Sequence, residues 1–551
     1  MANSTTAFER IRSDLFRYYD TPFRVRSEEI MAERRRLIDR DMGAWREPWI
    51  EVIRDYSLTG EGLSAALKNI GASEDLIDFA SCGLLTYDDI FTHQRDSLQS
   101  FLNNKNVVIS SGTGSGKTES FLLPIFSSLV EESKKWEGTS PVGENWWEDE
   151  DTGWAPQRNA ETGRHSAIRA LIMYPMNALV EDQLVRLRIS LDSVEARAWL
   201  DTERNGHRFF FGRYTGRSPV SGKFISGESK ETALRKHHKA TAERCESISE
   251  DNRRFYLQRL DGAEMRSRWD MQSHPPDILI TNYSMLNIML LRALERPMLD
   301  KTRLWLEQDP SHIFHIVIDE LHMYRGTSGT EVAYLLRRLL HALGLTADSP
   351  QVRFIGTSAS LPEGDEAQNF LSEFFGASKD SFNIHSGDLV PDSAEASTNL
   401  AEFEDRFVQW SERPQTSEQA VTLLSESNAG ELLKKVSNGR TLRINELGKL
   451  LFPDEKNEKR VISTAMAGLM AVIEEAASGE GQSIVPRIRT HLFFRNIIGM
   501  WACSDPKCPG VSEEFRFEGR GIGRLWAEPR HRCEPKCGKR VLQLLYCQPC
   551  G

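Results

Sequence analysis

Apolar residues fall along this chain in two textures. Between Phe91 and about residue 365, short runs rich in Val, Ile, Leu and Met recur: Asn106 to Ile109, Ala170 to Met173, Asp277 to Ile280, Ile316 to Ile318 and Phe354 to Gly356. Each is too brief for a helix and lacks polar alternation. Stretches long enough for helices separate them, the pattern of parallel strands buried on both faces. Residues 1–85 are charged and helical in pattern: in Arg24 to Arg40, Ile30, Met31, Leu37 and Ile38 are spaced among Glu, Arg and Lys. The expected fold class is α/β. A three-layer domain with a parallel sheet spans 86–365, flanked by a helical accessory region over 1–85, a helical region over 366–490 and a cysteine-rich module over 491–551.

Two segments interrupt the strand-helix pattern. Residues 131–166 hold nine acidic and four basic residues with Trp136, Trp146, Trp147 and Trp154 among Gly and Pro, so an irregular, solvated surface loop is expected. Residues 208–268 hold fourteen Lys/Arg against eight Asp/Glu, which makes them the candidate place for a basic nucleic-acid groove.

At 551 residues, with 39% hydrophobic and 27% charged, the chain has room for three or four domains of ordinary globular composition. Its net charge of −11 excludes a polycation that coats nucleic acid by charge alone. No apolar stretch approaches the ~20 residues of a membrane helix. Phe8-Glu9-Arg10-Ile11-Arg12 carries no secretory signal. A cytoplasmic location without a membrane partner is expected.

The sharpest chemical signal is Val107-Val108-Ile109-Ser110-Ser111-Gly112-Thr113-Gly114-Ser115-Gly116-Lys117-Thr118. A strand, a glycine-rich turn and a helix start wrap the backbone N–H groups of Gly112, Thr113, Gly114, Ser115 and Gly116 around a phosphate. Lys117 supplies a charge for β/γ-phosphates and Thr118 a hydroxyl for Mg²⁺, so ATP and Mg²⁺ are the expected cofactors. Ser111 stands where the usual pattern has Gly. Ile316-Val317-Ile318-Asp319-Glu320-Leu321-His322 ends a second apolar strand in paired carboxylates. Asp319 suits a water-mediated hold on Mg²⁺, and Glu320 suits polarising the water that attacks the γ-phosphate.

Together these motifs resemble the superfamily 2 helicases of the DExH (DEAD/DEAH box) type. Phe91-Thr92-His93-Gln94 is similar to that family's adenine-reading element, with the Gln94 amide facing the N6/N7 edge. Met173-Tyr174-Pro175-Met176-Asn177-Ala178-Leu179, with Gln183 beyond it, resembles motif Ia, which grips one strand's backbone and implies nucleic-acid roles for Pro175 and Asn177. Tyr214-Thr215-Gly216 with Arg217, and Ile280-Thr281-Asn282-Tyr283-Ser284-Met285-Leu286, are similar to the later strand-binding turns. Gly356-Thr357-Ser358-Ala359-Ser360-Leu361 resembles the Ser-Ala-Thr motif that links hydrolysis to strand movement, through Ser358 and Ser360. The resemblance covers roughly residues 88–365. It implies a RecA-like P-loop NTPase domain and a nucleic-acid partner, DNA in particular.

Six of the eight cysteines crowd the end of the chain, as Cys503-x4-Cys508, Cys533-x3-Cys537 and Cys547-x2-Cys550. Paired thiolates across short turns suit a tetrahedral Zn²⁺ site. Cys503, Cys508, Cys533 and Cys537 are the first choice of ligands, with Cys547 and Cys550 left to another site or an adjoining segment; an iron–sulfur cluster is the alternative. Leu492-Phe493-Phe494-Arg495 through Cys503 and on to Leu544-Leu545-Tyr546-Cys547 resembles the cysteine-rich region of MrfA-like bacterial DNA helicases and related phage-defence helicases.

A complete motor of this family has a second RecA-like domain bearing Gly-Arg motifs. Gly519-Arg520-Gly521-Ile522-Gly523-Arg524 has that flavour but lacks an upstream Gln, and is expected to be a loop leading to the cysteines. The chain is therefore expected to be the N-terminal part of a longer or split helicase, in phage defence or DNA repair. The second domain would come from a missing C-terminal part or a partner polypeptide. A non-catalytic, ATP-switched nucleic-acid-binding adaptor is the alternative.

Overall fold

The computed structural model describes residues 4–547 apart from 42, 113, 176, 249–253, 362–363, 391–398, 414, 455–460, 479–484, 498 and 536. It divides into two compact units, Asp55–Val390 and a discontinuous one made of the residues up to Arg54 and those after Val390.

The Asp55–Val390 unit is built on seven strands: β1 (Asn106–Ser110), β2 (Ala170–Tyr174), β3 (Phe211–Arg213), β4 (Ile278–Asn282), β5 (Phe314–Ile318), β6 (Val352–Ser358) and β7 (Phe382–Ser386). They lie in the order β3-β4-β2-β5-β6-β1-β7, every neighbouring pair parallel. Every residue of β2, β5 and β6 is buried, as a sheet covered on both faces by crossover helices requires. This is a RecA-like α/β domain. Four of its helices frame the site: α1 (Thr92–Leu102), α2 (Lys117–Ser133), α3 (Asn177–Asp192) and α4 (Gly326–Ala342).

The other unit holds a three-stranded antiparallel sheet in which Trp45–Val52 lies between Ile488–Phe494 and Leu442–Arg443. Helices Glu404–Glu412, Ser417–Ser427, Ala429–Ser437, Ile444–Leu451 and Thr464–Ala477 share one core with Phe8, Ile50 and Val52. A second small antiparallel sheet, Leu525–Trp526, Trp501–Cys503 and Val541–Gln543, carries the cysteines.

The units divide the chain differently from the expected boundaries. Residues 1–54 fold with the C-terminal part and 55–85 with the parallel sheet, and β7 extends that sheet beyond residue 365. Trp45–Val52 is a strand inside a region expected to be helical, because its pairing partner Ile488–Phe494 lies 436 or more residues away and is invisible to local periodicity.

The expectation of a solvated loop over 131–166 is corrected. Trp146 and Trp147 are buried with Leu234, Leu260 and Trp269, and Trp136 joins the main core. Gln157 donates from its amide to the carbonyls of Gly262 and Glu264, and Arg266 donates to those of Gly143 and Glu144. Arg158 and Arg164 both clamp Glu161, Arg164 and Arg169 both clamp Asp277, and Arg169 also pairs with Glu132. Burial opposes the charge on Glu132, but Arg169 wins and holds its carboxyl down at about 2. Segments more than a hundred residues apart thus turn an acidic, Trp-rich stretch into packed structure.

Among the described residues, no helix is long and apolar enough to cross a membrane.

Candidate nucleotide and nucleic-acid site

The P-loop leaves β1 and enters α2 through Gly114 at φ +81° and Gly116 at φ +72°. L side chains rarely adopt that left-handed region. A Cβ on Gly116 would also stand 2.2 Å from Gln94 Nε2. The loop is braced from outside: Tyr56 Oη accepts from Gly112 N–H at 2.9 Å, and His93 Nε2–H donates to the Ser115 carbonyl at 2.6 Å. Gln94 Nε2 donates to the Gly116 carbonyl at 3.1 Å, while its Oε1 accepts from Phe91 N–H. Burial lowers the His93 pKa, which keeps the ring neutral in this brace. Thr113 lies outside the described residues.

The β5–β6 register runs from Phe314↔Val352 to Ile318↔Gly356, which sets Asp319 beside Thr357. The Thr357 hydroxyl donates to Asp319 Oδ1. Burial raises the Asp319 pKa, opposed by that hydrogen bond. Glu320 adopts φ +53°, a conformation that costs a non-glycine residue about 1–3 kcal/mol. Its Oε1 lies 3.9 Å from Lys117 Nζ, and His322 Nδ1 lies 3.3 Å from its Oε2. Ser358 Oγ donates to the Ser360 carbonyl at 2.8 Å and lies 3.4 Å from His322 Nδ1. The expected catalytic and coupling residues therefore meet in one place.

These residues fit a nucleotide with its cation. Lys117 Nζ and Glu320 Oε2 are buried and have no hydrogen-bond partner among the described residues, which in a native structure calls for a bound polar group. Gln183 Nε2 donates to Thr118 Oγ1, leaving a hydroxyl lone pair for a cation.

The candidate strand-binding residues lie along the same carboxyl edge of the sheet. Pro175 follows β2, the exposed Gly216 and Arg217 follow β3, and Thr281 and Asn282 end β4. Strand order separates the two sets: β3, β4 and β2 carry these turns, while β5, β6 and β1 carry the phosphate and carboxylate groups. Thr281 is buried and donates to the Tyr214 carbonyl at 2.8 Å, and Asn282 Oδ1 accepts from Met285 N–H at the start of the next helix. Asn177 begins α3, its side chain outside the described residues. The 208–268 segment offers less free cation than its composition implied. Arg235 donates to the carbonyls of Trp146, Asp149 and Thr152, and Arg268 to that of Thr215.

Tyr56 carries no motif and the role of Thr357 depends on strand register, so neither has a signal in the sequence. Gln183 was noted only as motif Ia, and its position on the P-loop threonine has no sequence signal.

In the discontinuous unit, the sulfur atoms of Cys503, Cys508, Cys533 and Cys537 all lie within 4.8 Å of one another. The Cys503–Cys537 and Cys508–Cys533 separations are 3.7 and 3.6 Å. Tetrahedral Zn–S bonds of about 2.3 Å place sulfurs roughly 3.8 Å apart, so the set fits zinc. Burial raises the Cys503 thiol pKa. Cys547 is exposed, and Cys550 lies outside the described residues. Arg520 is spent locally: it is buried and donates to Phe515, Ile522 and Gly523 carbonyls and to Glu33.

The DEAD/DEAH box helicase family model matches residues 91–207. Over 98% of its length the chain is 29% identical to Druantia protein DruE of Escherichia coli (strain UMEA 4076-1), of which it covers 32%. Over half of its length it is 20% identical to an uncharacterized ATP-dependent helicase of Methanocaldococcus jannaschii, of which it covers 26%. The chain thus spans about a third or less of the curated relatives it matches. A crystal structure of DUF1998 helicase MrfA bound to DNA and AMPPNP is similar at a TM-score of 0.33 and 16% identity, over 72% of this chain and 41% of that one. The matched segment runs from the Gln94 turn through the P-loop and α3, and over that stretch the chain is similar to a DEAD/DEAH box helicase domain.

Proposed function

We propose that this chain is the ATP-binding half of a helicase or translocase that couples ATP hydrolysis to movement along nucleic acid, DNA by preference. The observation that carries the reading is the strand order. The P-loop and paired carboxylates occupy one half of the carboxyl edge and the candidate strand-binding turns the other, which supports a reading with the two ligands side by side on one sheet.

In this reading Lys117 faces the β/γ-phosphates, amid the backbone N–H groups of Gly112, Thr113, Gly114, Ser115 and Gly116. Thr118 and Asp319 hold Mg²⁺. Glu320 takes the proton of the attacking water, with His322 Nδ1 3.3 Å from its Oε2. His322, between Glu320 and Ser358, connects hydrolysis to the Ser358–Ser360 turn. Gln94 keeps a second amide N–H for an adenine acceptor. Pro175, Asn177, Gly216, Arg217, Thr281 and Asn282 form the strand-facing turns. A second RecA-like domain, from a longer chain or a partner, supplies the arginine that neutralises charge at the γ-phosphate, a contribution of ~10³ to 10⁵ in rate. Cys503, Cys508, Cys533 and Cys537 hold Zn²⁺ in a structural site. The setting implied by the sequence resemblance is phage defence or DNA repair.

The test is ATP turnover by the chain with and without single-stranded DNA, then again with a polypeptide carrying the second RecA-like domain. DNA-stimulated turnover by the pair, with little from this chain alone, is expected. A pair that binds DNA and ATP without turning over would overturn the catalytic reading.

A further inference from the structure

Helix α3 starts at the Pro175 turn and is tied to the first turn of α2 by two side-chain contacts. Gln183 Nε2 donates to Thr118 Oγ1 at 3.2 Å, and Arg186 Nη1 donates to Glu119 Oε1 at 2.6 Å. Asp182 Oδ2 stands 3.6 Å from Arg186 Nε and steadies the guanidinium. Residues three apart share a helix face, so both tethers leave α3 on the same side. That side is not the packed one: Val180, Leu184, Leu187 and Leu191 form the buried stripe. Gln183 and Arg186 are half-buried neighbours of the stripe whose polar atoms are directed at the two residues after Lys117.

We propose that Gln183 is a positioning residue that sets the Thr118 hydroxyl for Mg²⁺ and, with Arg186, passes the presence of a nucleic-acid strand at the head of α3 to the nucleotide site. The proposal rests on the nucleotide-site reading above. A threonine oxygen has two lone pairs and one proton. The Gln183 N–H takes one lone pair, which holds the side chain in a rotamer that presents the other to a cation. Six residues of helix separate Asn177 from Gln183, about 9 Å of stiff rod, so a displacement at the head of α3 arrives at Thr118. The Arg186–Glu119 pair, a charge-assisted hydrogen bond, makes the link bidirectional and resistant to rotation of α3 about its axis.

The experiment measures binding of a fluorescent N-methylanthraniloyl ATP to the full chain, in Mg²⁺ or in EDTA, with and without a single-stranded oligodeoxynucleotide. Gln183→Leu is expected to weaken binding in Mg²⁺ by roughly three- to tenfold, the worth of one hydrogen bond, and to leave binding in EDTA unchanged. The oligonucleotide's effect on nucleotide affinity should vanish with it. Gln183→Met keeps the length but removes the donor, and should behave as Gln183→Leu does. Arg186→Ala should reduce the oligonucleotide effect while keeping the Mg²⁺ dependence. Equal weakening in Mg²⁺ and EDTA would mark Gln183 as merely structural and overturn the proposal. So would wild-type behaviour of Gln183→Leu, or an oligonucleotide effect absent from the wild type. Lys117→Ala separates the two readings: if it binds nucleotide as the wild type does, the nucleotide site itself is misassigned. If it loses binding while Gln183→Leu is unaffected, only the positioning role fails.

Discussion

Lys117 Nζ lies 3.9 Å from Glu320 Oε1, and neither that amine nor the other carboxylate oxygen has a hydrogen-bond partner among the described residues. The P-loop cation and the motif II anion thus face each other as a loose ion pair, each with capacity left for a further polar partner. Replacing either group separates binding from chemistry. Lys117→Ala should weaken ATP binding by about 10- to 100-fold, the worth of a charge-assisted contact. Glu320→Gln should leave affinity within a few-fold, yet lower turnover about 10²- to 10⁴-fold once the second RecA-like domain is present. Titration calorimetry and phosphate release decide it; equal turnover by Glu320→Gln would remove Glu320 from the chemistry.

Gly116→Ala should cost about 1–3 kcal/mol in urea unfolding, because φ +72° strains any L residue and the new Cβ meets Gln94 Nε2. Adding Gln94→Ala removes the collision but not the backbone strain. The double variant should be more stable than the two single losses sum to; strict additivity would show that the two residues do not touch.

The cysteine cluster predicts one zinc per chain by elemental analysis. Ser in place of Cys503, Cys508, Cys533 or Cys537 should release it, and chelation should lower the melting temperature by several degrees. Cys547→Ser should retain the metal. Loss of zinc from that variant would redraw the ligand set.

Arg235→Glu should act on folding before it acts on nucleic acid. Its guanidinium joins three carbonyls of the Trp-rich segment, so the variant should lose about 1–3 kcal/mol and shift tryptophan emission to the red. The salt dependence of DNA affinity should keep its slope. A shallower slope in a variant with native emission would return Arg235 to the nucleic-acid surface.

His238 is fully buried against Trp146 and Trp147, and burial, with Arg266 and His237, pushes its pKa down to about 3. As pH falls below about 6.5 the unfolded chain takes up a proton that the native ring refuses until about 3. Stability is therefore lost on acidification across that window. His238→Phe should make the fall in melting temperature between pH 7.5 and 5 smaller. An unchanged fall would mean that the ring is hydrated in the native state.

Much of the sheet was legible because β1, β2, β4, β5 and β6 are buried on both faces and appear as unbroken apolar runs. β3 and β7 were not, since a three-residue edge strand and the half-polar Phe-Asn-Ile-His-Ser carry little signal. The candidate site residues that the structure brings together stand at strand ends, where each motif is local and can be seen in the sequence. What escaped notice depends on contacts distant in sequence: Tyr56 on Gly112, Gln183 on Thr118, and the tryptophans of 131–166 under the 230–270 segment. Composition marked that loop as wet because it counts charges without their partners, and Arg158, Arg164 and Arg169 are matched by Glu132, Glu161 and Asp277 inside the fold.

The pairing of Trp45–Val52 with Ile488–Phe494 sets a timetable for synthesis. Val52 cannot meet Ile488 until 436 further residues have been made, roughly 20–90 s at ordinary ribosome speed. The parallel-sheet unit is complete in sequence by Val390 and can close while the first strand still waits. Nascent chains arrested some tens of residues beyond Val390, far enough for that residue to clear the ribosome, should therefore already protect the P-loop from protease, with Trp45–Val52 cleavable until the last hundred residues emerge.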